Sequence, residues 1–304
     1  MYDVICVGDV AVDEYYRVSR LPGADEKVYA HYLGKALGGT TCNTARALHQ
    51  LGANVLFITQ VGDDPSGQFA ASKLAEIGLP YHLLISKSTS TFSTVVIAAE
   101  GGEKSILLLT SPKNIQEQNL YTQAPLHAAR VIYSTGGKPV LSYLENYSIP
   151  IVLSLEAPTI ENYPQVVSWA AEHAQTLILD RNSFKVIFSR DIQEADLASL
   201  EFGSKRLQHI IVTLGRQGAF ALIRLGKQVV HTPAYSVNVV DTTAAGDIFN
   251  AALIQSYYLE QLPIQISLHY ANAVAAASCE ELGTELSEHA IQRAWYLFQI
   301  EKGG

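Results

Sequence analysis

The residues best equipped for chemistry stand together in Asp241-Thr242-Thr243-Ala244-Ala245-Gly246-Asp247, between the strand-like VVHTPAYSVNVV and the helical pattern IFNAALIQSYYL. Ala244, Ala245 and Gly246 carry almost no side chain, so amides at the start of that helix can approach an anion closely. Charge developing on a phosphate in transfer would be held there by unsatisfied N–H groups and the positive end of the helix dipole. Asp247, in the first turn, can accept a proton from a hydroxyl. Taken alone, it serves equally well as a cap of its own helix.

A second group lies near the amino end. Asp13 offers two acceptor oxygens, suited to a pair of sugar hydroxyls, and Asn43 offers both a donor and an acceptor. Gly38 and Gly39 remove side chains where a ligand would approach the backbone, although a turn and a helix cap would use the same residues.

Other chemistries lack their marks. No GxGxxG follows the first strand, no GxxxxGK[ST] occurs, and the histidines form no HExxH pattern. Cys6, Cys42 and Cys279 are too far apart for a zinc cluster or a disulfide framework. Lys and Arg number 21 against 29 Asp and Glu, a net charge of -8 without a basic block, which argues against a nucleic-acid partner. No apolar run approaches the roughly 18 residues of a membrane span. Asp3, Asp9 and Asp13 stand where a secretory signal would be apolar, so a soluble cytoplasmic protein is expected.

The elements that must position these groups are legible in the periodicity. DVICVGDVAVD reads as a buried strand whose carboxyl end carries Asp9 and Asp13. Glu14 to Ser19 and Lys27 to Leu33 alternate around a Pro22-Gly23 turn, and Thr91 to Ala99 and Lys104 to Thr110 alternate around Gly101-Gly102. These four stretches are expected to form one small sheet. Helical spacing covers Thr41 to Leu51, Gly67 to Ile77, Ala245 to Leu259, Pro263 to Leu282 and Ser287 to Ile300. NVLFITQVG, Tyr81 to Ile85, VIYSTG, IPIVLSL, QTLILD and HIIVTLG read as further strands. The alternation predicts an α/β fold, a mainly parallel sheet flanked by helices on both faces, with the small sheet inserted in a single domain spanning 1–304. That small sheet carries apolar residues on one face, including Val28, Tyr32, Phe92, Val96, Ile106 and Leu108, which predicts a homodimer through it.

DTTAAGDIFNAAL resembles the carboxyl-terminal signature of the ribokinase-like, or PfkB, family of carbohydrate kinases. Gly38-Gly39 followed by Asn43, Ala45, Leu51 and Gly52 is similar to the family's glycine-glycine signature, and Gly62-Asp63-Asp64 with Gly67 to its next turn. The resemblance runs over nearly the whole chain and makes the small sheet a lid. It implies an ATP-dependent sugar kinase in which Asp247 is the base, the amides of Ala244 to Gly246 form the anion hole, and Mg²⁺ bridges the nucleotide phosphates. Asp13, Gly38, Gly39 and Asn43 would bind the acceptor. Thr213, Gly215 and Gly218 would lie beside the triphosphate, Asn182 would organise magnesium and phosphate, and Asn272 would stand beside adenine. Asp241, Thr243, Gly283 and Ser287 resemble a loop pair that surrounds a monovalent cation such as K⁺. One departure is local: the family's Asn-x-x-Glu becomes Asn182-Ser183-Phe184-Lys185, with a cation in place of the Glu. A nucleoside kinase of the same fold, or a catalytically silent sugar-binding regulator, are the alternatives at this stage.

Overall fold

The computed structural model describes residues 1–100, 103–109, 125–145 and 147–302. Its strands are β1 Tyr2–Val7, β2 Ala11–Val18, β3 Ala30–Gly38, β4 Val55–Gly62, β5 Tyr81–Ser86, β6 Phe92–Ala99, β7 Lys104–Leu109, β8 Ala129–Ser134, β9 Ile151–Leu155, β10 Thr176–Asp180, β11 His209–Thr213, β12 Ala219–Ile223 and β13 Gln228–Thr232. Its α-helices are α1 Thr40–Gln50, α2 Pro65–Ile77, α3 Lys138–Leu144, α4 Ala157–Asn162, α5 Gln165–His173, α6 Arg181–Phe188, α7 Glu194–Ala198, α8 Ala245–Leu253, α9 Ile264–Ser278 and α10 Glu288–Lys302. Gly101, Gly102 and Thr110, placed by the sequence in and beside a hairpin, lie outside the described residues.

Nine strands form the main sheet in the order β13-β12-β11-β10-β9-β8-β1-β4-β5. From β5 to β11 all pairings are parallel, and β12 and β13 add an antiparallel edge. The continuous apolar character of β1 follows from burial on both faces. Val4 and Cys6 join the core made with α1, α8, α9 and α10, whereas Ile5 and Val7 join the core made with α3 and α5. The chain runs outward from β1 to β4 and β5, then returns on the opposite side of β1 as β8. Such a reversal opens a crevice at the carboxyl ends of the two strands, where no crossover covers it.

The second sheet, in the order β3-β2-β6-β7, is the one expected from the four alternating stretches. It also corrects the place of Asp13. The buried strand ends at Val7, and Asp13 belongs to β2 of the small sheet, paired with Ala36 on β3 and Thr94 on β6. The apolar run had concealed the break, because Val10, Ala11 and Val12 are buried at the base of the lid just as a core strand would be. The apolar face is likewise redistributed. Val96 is only 7% exposed, and Val28 lies outside the strands. On β7, Ile106 and Leu108 point to the side of Asp13 while Leu107 and Leu109 point away, and all four are exposed. β12, which turns back on β11 after Gly215 and Gly218, has no counterpart in the sequence expectation.

Asp64 fastens the lid to the main body. Its side chain accepts from Gly67 N–H at 2.7 Å as the N-cap of α2, and also from Thr91 N–H at 2.8 Å and Thr91 Oγ1 at 2.7 Å, one residue before β6. A Cβ at Gly67 would lie 2.1 Å from the Gly62 carbonyl oxygen, which explains the glycine in this turn. Against an opposing desolvation, the hydrogen bonds from Thr91, Gly67 and Ser66 hold the Asp64 carboxyl below the usual carboxylate range. Asp64→Ala is expected to cost about 1–2 kcal/mol in urea denaturation near neutral pH. Because the folded carboxyl titrates below the unfolded one, its stabilisation is present above the unfolded value and is lost as pH falls through the folded value. The gap between wild type and variant should therefore narrow on acidification.

Candidate active site

Asp9, immediately after β1, organises the crevice. Its Oδ2 accepts from Thr40 N–H at 3.0 Å and its Oδ1 from Thr41 N–H at 3.1 Å, so a carboxylate from another element caps α1. The N-cap residue, Gly39, makes no side-chain bond and has φ 98°, and a Cβ there would lie 2.9 Å from Asp9 Oδ2 and from the Ala11 nitrogen. Asp9 Oδ1 also accepts from Thr41 Oγ1 at 2.7 Å and from Thr135 Oγ1, just beyond β8, at 3.1 Å. The ends of β1 and β8 and the start of α1 are thereby joined at one carboxylate.

The lid contributes Asp13 to the same space. Its Oδ1 accepts from Thr94 Oγ1 at 2.6 Å, and its carboxylate lies over Gly38, where a Cβ would stand 2.0 Å from Oδ2. Asn43 links α1 to α8: its Nδ2 donates to Asp247 Oδ2 at 2.9 Å, while its own Oδ1 is buried without a partner among the described residues. Thr44 Oγ1 lies 3.2 Å from the Asp247 carbonyl oxygen and from Tyr133 Oη, and Asn250 Nδ2 donates to Tyr133 Oη at 3.1 Å. Through these bonds α1 and α8 are locked together over β8.

Asp247 is part-buried at the accessible surface, with its carboxylate in a water-poor recess. Burial raises its carboxyl well above the usual range, the Asn43 amide works in the opposite direction, and the charges of Glu156, Asp9 and Asp13 add to the rise. Glu156, which follows β9 and accepts from Thr40 Oγ1 at 3.2 Å, and Asp9 were not singled out from the sequence. Both are acidic residues placed directly after an apolar strand, and that position was the available signal.

At the start of α8, Ala244 takes the left-handed conformation with φ 61° and no side chain caps the helix. A Cβ at Gly246 would meet nothing within 4 Å, so open space lies beside the first turn, where Ala245 N–H donates to the Thr242 carbonyl at 3.3 Å. Ala244, Ala245, Gly246 and Asp247 thus form an uncapped helix start beside a carboxylate, the kind of end that can cradle an anion. Thr213 ends β11, with Gly215 at φ 57° in the exposed turn that follows. Gly218 is buried, and a Cβ there would stand 2.0 Å from the Thr232 carbonyl oxygen, so its glycine is required by backbone packing.

Asn272 is not a solvated helix residue. It is 6% exposed, and its Nδ2 is spent on the Thr232 carbonyl and hydroxyl and on the Pro233 carbonyl at 3.0 to 3.2 Å. Asn182 is exposed near the start of α6, and Lys185 on the same helix pairs with Asp191 at 3.5 Å, the behaviour of a surface lysine. Among the described residues no group of three or more His, Cys, Asp or Glu could hold a metal by itself. Glu156 and Asp180 place carboxylates at the ends of the adjacent strands β9 and β10, with Asp180 Oδ1 accepting from Ser183 N–H at 2.6 Å as the N-cap of α6. Asp241, Thr243 and Gly283 do come together, with Gly283 N–H donating to Asp241 Oδ2 at 3.1 Å. Ser287 instead caps α10, its Oγ accepting from Ala290 N–H at 2.9 Å.

Residues 1–291 match the model of the pfkB family carbohydrate kinases. A deoxyribokinase of Salmonella typhi is 24% identical over 309 residues, covering 96% of this chain and 97% of that protein. The solved ribokinase of Giardia lamblia superposes with a TM-score of 0.84 at 18% identity, covering 99% of this chain and 100% of its own. Phosphofructokinase-2 from Escherichia coli, solved in complex with potassium, gives a TM-score of 0.76 at 17% identity, covering 98% and 99% of the two chains.

The carboxylate cluster makes two opposed expectations for Asp247, both read by ¹³C NMR titration of its carboxyl. Glu156→Gln removes a negative neighbour and should lower the pKa, whereas Asn43→Ala removes a donor to the charged form and should raise it. Shifts of the same sign in both variants would contradict this electrostatic arrangement.

Proposed function

The chain belongs to the pfkB family of carbohydrate kinases, and from that premise we propose that it transfers the γ-phosphoryl group of ATP to a hydroxyl of a small, unphosphorylated sugar, with Asp247 as general base. The observation that carries this reading is the single junction at which the Asp247 carboxylate, the uncapped start of α8 and the Asn43 amide meet the lid carboxylate Asp13. In the transfer, Asp247 takes the proton of the acceptor hydroxyl. The hydroxyl oxygen bonds to the γ-phosphorus, and the bond to the β–γ bridging oxygen breaks, leaving its electrons on ADP. The amides at Ala245 to Asp247 stabilise the charge of the phosphoryl group in flight. A carboxyl raised above its ordinary value is a stronger proton acceptor than an exposed aspartate. A magnesium ion bound with the nucleotide would supply charge neutralisation at the phosphates.

The acceptor pocket is lined by Asp9, Asp13 and Glu156, and these charges would repel a sugar that already carries a phosphate. Ribose and deoxyribose head the panel of candidates, given the activities named for the relatives. Thr213, Gly215, Gly218 and Asn182 border the nucleotide side, with Asn272 holding the backbone behind it. The protein acts in the cytoplasm as a homodimer. The lid face bearing Asp13, Ile106 and Leu108 closes over the sugar, and the opposite face, with Tyr32, Leu107 and Leu109 each at least half exposed, meets a second copy.

Turnover measured as ADP release against sugars, sugar phosphates and nucleosides tests the reaction class. Turnover of free sugars is the expected result, selective turnover of nucleosides would favour the nucleoside kinase, and sugar binding without turnover would leave a silent regulator. Asp247→Asn should lower kcat by roughly 10²–10⁴ with little change in binding. Asp13→Ala should mainly raise the KM of the sugar, because it removes hydroxyl contacts and leaves the nucleotide side intact. For assembly, sedimentation at micromolar concentration should give a dimer that Leu107→Lys converts to a monomer. A wild-type monomer would remove the dimer and leave that face open to solvent.

A further inference from the structure

The loop before the anion cradle already contains a cation, supplied by the lid. Lys104, the first residue of β7, pairs with Ala98 on β6, and the alternation along these strands puts it on the same side of the small sheet as Asp13. From there its Nζ reaches Thr243 Oγ1 at 3.0 Å and lies 3.8 Å from Asp241 Oδ1. Both oxygens of the Asp241 carboxylate also accept donors from the protein. Oδ1 accepts from Thr243 N–H at 2.9 Å and from Thr243 Oγ1 at 2.6 Å, and Oδ2 accepts from Gly283 N–H. The facing segment is held in place by Val240 N–H and Asp241 N–H, which donate to the Cys279 carbonyl at 2.8 and 3.2 Å.

These donors do not fit a potassium ion of the kind the resemblance implies. The Lys104 ammonium already stands against the Asp241 carboxylate and Thr243 Oγ1, so a second cation there would meet it at close range, and Ser287 Oγ is turned to the cap of α10. We propose that the Lys104 ammonium serves as the built-in monovalent cation of this kinase, bracing the Asp241 loop and hence the anion cradle from the lid. A lysine ammonium is a compact point charge with three donors, chemically an ammonium ion on a tether. The neighbouring charge is consistent with this arrangement. Desolvation would raise the part-buried Asp241 carboxyl, yet the Thr243 and Gly283 hydrogen bonds and the Lys104 charge hold it below the usual range. Because the charge arrives on β7, the cradle is complete only when the lid is seated. Lys104 is accordingly a positioning residue, and it touches neither phosphate nor sugar.

The activity arm of the test rests on the phosphotransfer reading above, and the stability arm does not. Full-length wild type is compared with Lys104→Met and Lys104→Arg in choline, potassium and ammonium chloride at one ionic strength of about 0.1 M. Wild type should show no more than about a twofold change in kcat between the salts, and no melting shift specific to potassium. Lys104→Met should lose roughly tenfold or more in choline chloride and recover in potassium or ammonium chloride, with a melting temperature raised by those two ions alone. Lys104→Arg, which keeps the charge, should remain indifferent to the salt. Potassium activation of wild type would overturn the proposal, and so would a Lys104→Met enzyme that is unimpaired or that no cation rescues. Should Lys104→Met fail to fold in choline, its refolding in potassium or ammonium chloride supports the proposal, and failure in all three salts overturns it. If no sugar is turned over at all, the kinase reading fails while the ion-specific melting shift of Lys104→Met still decides this one.

Discussion

The site depends on one constraint: an α-helix leaves its first amides unpaired, and here the partner must come from elsewhere in the chain. α1 begins at Gly39, a residue with no side chain to offer, because a Cβ at that point would collide with Asp9 and the following backbone. The missing acceptor is the Asp9 carboxylate, which reaches across from the end of β1 and bonds to Thr135 beyond β8 as well. The helix is thereby registered against the crevice where the chain reverses its course through the sheet. Everything α1 carries into the site, Asn43 and Thr44 included, inherits its position from that cap.

The second helix end is used in the opposite sense. α8 starts without a side-chain cap, after a left-handed alanine, and open space lies beside Gly246 in its first turn. A capped end suits a fixed structural role, and an uncapped one can accept an anionic ligand. Asn43 joins the two ends through Asp247, so the acceptor wall and the base cannot move independently.

Charge distribution follows from the same geometry. Strand ends bring Asp9 and Glu156 into a recess with Asp13 and Asp247, and like charges with little water drive the Asp247 carboxyl upward. Positive charge comes from Arg46, buried on α1 and paired with Glu285, and from Lys104 on the lid at the Asp241 loop. The lid therefore contributes both the carboxylate of Asp13 and the ammonium of Lys104. Its seating on the main body through Asp64 and Thr91 is part of the chemistry as well as of the fold.

The sequence by itself determined the features that depend on near neighbours along the chain. Period-two and period-3.6 patterns marked the parallel strands, the four lid strands and the terminal helices. The small-residue run at 244–246 followed by Asp247 announced a helix start, which the structure places at Ala245 without a side-chain cap. What it left open are relations between segments distant in sequence. An unbroken apolar run hid the passage from β1 into the lid, so Asp13 changed sheets, and Val96 proved to be buried where alternation alone made it part of an open face. Asn272, a polar residue on a small-residue helix, is buried because Thr232 and Pro233 supply carbonyls 39 and 40 positions away. The approach of Lys104 to Thr243 spans 139 residues. Local pattern fixes which face a side chain takes, and only the packing of sheets and helices decides what that face meets.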